Sequence, residues 1–115
     1  MSRTVISVKV SDSVWPQVES WADQNKFKET DSSGGSRLFK RPIQLSPVAN
    51  LRVTQSKDEV GIESWLQTDF FQRLEMLFLV PAETGIESGK KYYFPKKKFR
   101  EMLNPLLEQL GSPTF

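Results

Sequence analysis

The sequence predicts an α+β domain: a mainly antiparallel sheet of five to six strands with three helices packed on one face. Three observations carry this. Short stretches alternate apolar and polar residues, three other stretches repeat apolar residues every three to four positions, and Gly, Pro, Asp and Ser cluster between them. The resulting order is strand, helix, four or five strands, helix, short strand, helix. With 115 residues, 37% of them apolar, the chain supplies one core, and residues 1–115 are read as a single domain.

Arg3 to Val10 alternates, with Ile6, Val8 and Val10 on one side and Ser7 and Lys9 on the other, and reads as the first core strand. Ser13 suits an N-cap, because Pro16 then falls in the first turn, where a missing amide hydrogen loses no intrahelical partner. Val14, Val18, Trp21 and Ala22 follow at helical spacing, so a helix over about Val14 to Gln24 buries them with part of Trp15. Lys26 to Thr30 and Arg37 to Arg41 flank Asp31-Ser32-Ser33-Gly34-Gly35 and read as a hairpin. Pro42 and Pro47 bound a short extended piece, Ile43 to Leu45, suited to a sheet edge. Asn50 to Ser56 and Val60 to Gln67 alternate on either side of Lys57-Asp58-Glu59. They make the clearest hairpin, with Leu51, Val53, Val60 and Ile62 inward.

Phe70, Leu74, Leu77 and Phe78 recur at helical intervals, and Pro81 disfavours continuation beyond Leu79. After a loop from Pro81 to Gly89, Lys91 to Phe94 reads as a short aromatic strand. Pro95 suits the first helical position, and Phe99, Met102, Leu103, Leu106, Leu107 and Leu110 form a wide apolar stripe that ends at Gly111. Pro105 interrupts the stripe and predicts a kink, or a restart with Asn104 as the new cap. The first part of this order resembles the TATA-binding-protein-like and helix-grip architectures. That likeness concerns element order alone, and such folds host unrelated functions. Glu59-Val60-Gly61-Ile62-Glu63-Ser64 and Glu83-Thr84-Gly85-Ile86-Glu87-Ser88 agree at five of six positions. Neither flank extends the match, so the echo is not a repeat.

Composition excludes more than it assigns. There is no Cys and no His, so disulfides, thiolate nucleophiles, thiolate metal sites and the commonest general base are all missing. No cofactor is implied, and the balance is against an enzyme. Met1 to Asp12 lacks the apolar stretch of a signal peptide, and no run approaches the ~18 apolar residues of a spanning helix. The expected location is cytoplasmic.

The net charge of +2 is a sum of opposed blocks: +2 over residues 1–50, −4 over 51–89 and +4 over 90–115. Gly85 to Lys90 invites comparison with a phosphate-binding loop. It has three residues between its glycines where that loop needs four, and Lys91 stands where the magnesium-binding Ser or Thr belongs. Asp58, Glu59, Glu63, Glu83 and Glu87 lack the dense ligand pattern of a calcium loop and read as solvated polar residues. Arg37, Phe39 and Arg41 share one strand face, and Lys26 and Lys28 flank Phe27. Cationic residues among aromatic rings are what single-strand binders use, although core packing is the plainer role for both rings.

The informative conflict is Lys96-Lys97-Lys98 after Pro95. At a helix start these ammonium groups meet the positive end of the macrodipole, at about 0.3–1 kcal/mol each. A local rule broken without visible compensation points toward function. Lys90, Lys91, Lys96, Lys97, Lys98 and Arg100 are therefore the candidate anion- or partner-binding residues, with a solvated basic face as the plainer reading.

LFLVPAETGIESG, from Leu77 to Gly89, together with LNPLLEQLGSP, from Leu103 to Pro113, resembles a group of small uncharacterised cyanobacterial proteins with a similar loop. The resemblance covers about the last two-thirds of the chain. It implies a cytoplasmic protein of a photosynthetic bacterium and no catalytic or binding residue. From the residues themselves, the expected function is a non-catalytic interaction module whose basic C-terminal helix start engages an anionic partner: an acidic protein, a phosphate or a nucleic acid. Homodimerisation is a related expectation, with the acidic middle block of one copy against the basic end of another. The alternative is a small-ligand domain with a pocket between the last helix and the sheet.

Overall fold

The computed structural model of the chain describes residues 3–42, 48–67, 83–86, 93–112 and 114–115. The elements are β1 (Thr4–Lys9), α1 (Trp15–Gln24), β2 (Lys28–Ser33), β3 (Ser36–Pro42), β4 (Val48–Gln55), β5 (Glu59–Gln67), β6 (Glu83–Gly85) and α2 (Tyr93–Gln109). Five strands form an antiparallel sheet in the order β1-β5-β4-β3-β2, and β6 adds to β5 just beyond the start of β1. The class is α+β, as the alternating and helical patterns require. Two helices, rather than three, stand among the described residues. The helix expected over Phe70 to Leu79 and the extended piece Ile43 to Leu45 lie outside the described residues.

Register explains the core. Phe39 faces Leu51, Val53 faces Ile62, Ala49 faces Leu66 and Ile6 faces Ile62. Opposed residues in antiparallel strands share a face, so these side chains form one inward surface. Val18, Trp21 and Ala22 of α1 and Phe99, Leu103, Leu106 and Leu107 of α2 join them in a single cluster. Both helices thus cover the same face. Leu51, Val53, Val60 and Ile62, the four expected inward residues of the central hairpin, have no exposed surface. Trp65 alternates to the other face, where it is buried beneath the Arg3 guanidinium, 3.8 Å from the ring centroid.

Several boundaries move for physical reasons. The α1 N-cap is Val14 rather than Ser13, and the helix start is held from β4: Gln55 Oε1 accepts from Val14 N, and Gln55 Nε2 donates to the Asp12 carbonyl. Tyr93 and Phe94, expected to end a strand, instead open α2; Lys91 and Tyr92 lie outside the described residues. Aromatic strand preference reflects fit to a pleated surface, and the long stripe that follows outweighs it. The strand here is instead Glu83–Gly85, inside the expected loop, paired to Trp65–Gln67. Nor does Pro105 restart the helix, which continues from Tyr93 to Gln109. Proline deprives the Glu101 carbonyl of its donor, and both residues lie on the exposed side of α2, where that loss is mildest.

Both helices end in the same way. After α1, Phe27 N donates to Ala22 O and Lys26 N to Asp23 O; after α2, Ser112 N donates to Leu107 O and Gly111 N to Glu108 O. This six-to-one, five-to-two pattern needs a left-handed residue at its centre. Gly111 takes φ 80° there without a Cβ conflict, whereas Lys26 takes φ 61° with one. Lys26→Gly is therefore expected to raise stability by roughly 0.5–1 kcal/mol and Gly111→Ala to lower it by about as much. Urea denaturation of both variants measures this, and responses of the same sign would contradict it.

Candidate functional site

The candidate cations stand on or near α2, and helix geometry decides which of them can act together. Successive residues on a helix point about 100° apart, so three adjacent lysines cannot form one patch. Lys96 heads the buried stripe that continues through Phe99, Leu103, Leu106 and Leu107, and is only 7% exposed. Its stem belongs to the covering of the core. Lys97 and Lys98 are exposed. Arg100 is half-buried and already engaged. Lys90 and Lys91 lie outside the described residues.

Lys97 lies on the stripe that continues through Arg100, Glu101 and Asn104, beside an open cleft of 120 Å³ bordered by Phe115. Asn104, expected as a helix cap, instead binds this neighbour: its Oδ1 accepts from Phe115 N at 2.8 Å and its Nδ2 donates to Phe115 O at 3.4 Å. The turn at Gly111 makes this contact, and no local sequence pattern signals it. Lys98 faces the other way, into an open groove of 480 Å³ between the two helices, with Trp21, Gln24, Met102 and Gln109 among its walls.

Among the described residues, ion pairs engage Arg3 and Arg37. Arg3 binds Glu63 at 2.8 Å, and Lys9 stands directly across from Glu59. Arg37 binds Glu19 and Glu29 and stacks over Trp15. Of the acidic side chains of the central hairpin, Glu63 is thus engaged, by Arg3. Among the described residues neither Lys97 nor Lys98 has an ion-pair partner. Helix α2 also carries no acidic residue in its first turn.

The cation and aromatic pattern on β3 has a structural use. Phe39 is buried, Arg37 is neutralised, and Arg41 donates to the Asn25 carbonyl and to Met102 Sδ. Phe27 is buried against Trp21 and Phe99. Neither ring is presented for stacking on a base. At the interface between α2 and the sheet, Phe99, Leu103, Leu106 and Leu107 are fully buried, whereas the hollows bordering α2 that involve Lys97 and Lys98 open to solvent.

Among the described residues no helix is long and apolar enough to cross a membrane. No protein-family model matches the chain, and no curated protein or solved structure is significantly similar to it.

Proposed function

We propose that the chain is a non-catalytic, cytoplasmic interaction module that engages an anionic partner through Lys97 and Lys98 at the start of α2. One observation carries this reading: two exposed ammonium groups stand in the first half of α2, without an ion-pair partner among the described residues. Lys97 and Lys98 are the fifth and sixth residues of α2, past the first turn where the macrodipole acts most strongly, so an external anion gains chiefly from their two exposed charges.

The double variant Lys97→Glu/Lys98→Glu tests it. Losing two attractions and gaining two repulsions, at about 0.5 kcal/mol each, weakens binding of an oligoglutamate or a single-stranded oligonucleotide by roughly ten- to thirty-fold. The folded state is little changed, since both positions are exposed and lie beyond the first turn of α2. Calorimetric titration at low and high salt checks both partners. Binding that is equal in wild type and variant, or insensitive to salt, overturns the proposal. Lys96 stays out of this test because its stem is buried.

A further inference from the structure

We infer that the stripe of α2 bearing Lys97 and Asn104 is a docking surface for an extended acidic peptide, and that residues 114–115 of the chain occupy part of it in cis. This rests on the anion-binding reading of α2 and names the class of partner.

The clasp at Phe115 carries the argument. A single Asn104 side chain accepts from the N–H and donates to the C=O of the same residue. An amide has one acceptor and one donor side in a fixed plane, which matches the two polar groups of an extended residue. Such a contact reads main chain and is indifferent to side-chain identity. The Phe115 side chain is not the anchor, since the residue is 40% exposed. What occupies the surface here is a stretch of peptide backbone.

Direction and spacing then fix where charge belongs. Beyond Gly111, where φ is 80°, Ser112 N donates to Leu107 O and Phe115 N to Asn104 Oδ1, so the clasped residue lies further toward the N-terminus of α2 than the turn. Asn104 and Lys97 are seven positions apart, two turns on one face, or about 10 Å along the axis. An extended peptide advances about 3.3 Å per residue. A ligand running from the turn toward the N-terminus of α2 therefore brings its third residue after the clasped one beside Lys97. Glu101 and the half-buried, already engaged Arg100 lie between them on the same stripe, so the next exposed cation that the ligand meets is Lys97. The surface thus selects one carboxylate at one offset, which a peptide supplies and a uniformly charged polymer does not.

The clasp is held by two exposed hydrogen bonds and no buried ring, so it opens at little cost. A partner must displace it. If the clasp is closed about 90% of the time, it reduces the apparent affinity of a competing peptide about tenfold.

Phe115→Pro in the full chain removes the N–H that Asn104 accepts while leaving the core untouched, and an unchanged melting curve confirms that. The probe is a blocked peptide with glutamate three residues after a phenylalanine, titrated by calorimetry with amide exchange followed at residue 115 of the wild type. Phe115→Pro should bind it about five- to tenfold tighter than wild type, Asn104→Ala should not share the gain, and the peptide should deprotect the residue 115 amide. Equal affinity for wild type and Phe115→Pro overturns the cis occupancy while leaving the anion reading intact if Lys97→Glu/Lys98→Glu still weakens binding. No binding by any form overturns both. An equal gain for oligothymidylate, or for a peptide with glutamate moved next to the phenylalanine, shows that the surface reads charge alone and overturns the peptide assignment.

Discussion

Trp21→Ala is expected to destabilise the domain by about 3–5 kcal/mol, a large share of the 5–15 kcal/mol typical of a whole domain. Trp21 is 3% exposed, and its ring lies 4.8 Å from that of Phe27. Its Nε1 also donates to the Met102 carbonyl at 2.7 Å, so one side chain contributes core volume and ties α1 to α2. Removing it leaves a cavity, and the Met102 carbonyl loses a donor. The melting temperature should fall by roughly 12–20 °C, at about 4 °C per kcal/mol for a domain of this size. Trp21→Phe separates the two contributions: it keeps an aromatic ring against Phe27 and loses only the N–H donor and some volume, for about 1–2 kcal/mol. Thermal and urea unfolding of the pair decide the matter. If both variants cost the same small amount, the two helices are not held together here.

The same residue also positions the candidate site, because Trp21 forms part of the groove that Lys98 faces. Loosening α1 from α2 should therefore change anion binding less at Lys97, on the opposite stripe, than at Lys98. Adding Lys97→Glu or Lys98→Glu to the Trp21→Phe background measures this. An equal effect of Trp21→Phe on both lysines would mean that the groove does not orient Lys98.

Where a local rule and tertiary packing agree, the fold is legible in the sequence. The alternation from Asn50 to Gln67 needs only one buried face to set its register, and its four inward residues are fully buried. The stripe from Phe99 to Leu110 likewise has one buried side. The end of α1 is less legible, because Lys26 at positive φ breaks the preference that Gly111 obeys, and the contact of Phe27 with Trp21 compensates. Tyr93 and Phe94 read locally as strand and were drawn into a helix by residues further along. The site was only partly legible: adjacency in sequence suggested one lysine cluster, whereas helical rotation sends Lys96, Lys97 and Lys98 to three sides. The Asn104 clasp was invisible, since it depends on a chain reversal that brings together residues eleven positions apart.

Phe99→Ala, at a further expected cost of about 3–5 kcal/mol, tests whether those sides matter. Phe99 has no exposed surface and packs on Phe27 at 5.8 Å, anchoring the first half of α2 beneath Lys97 and Lys98. The substitution leaves every charge in place while weakening the support that fixes where the charges stand. Phe99→Leu keeps most of the volume and should cost less than about 1.5 kcal/mol, so it serves as the folded comparison. If α2 presents a defined surface, oligoglutamate affinity should survive in Phe99→Leu and fall in Phe99→Ala along with the helical circular-dichroism signal. If Phe99→Ala unfolds the domain yet binds as tightly as wild type, the lysines act as a flexible polycation. The geometry of α2, including the Asn104 stripe, would then contribute nothing to recognition.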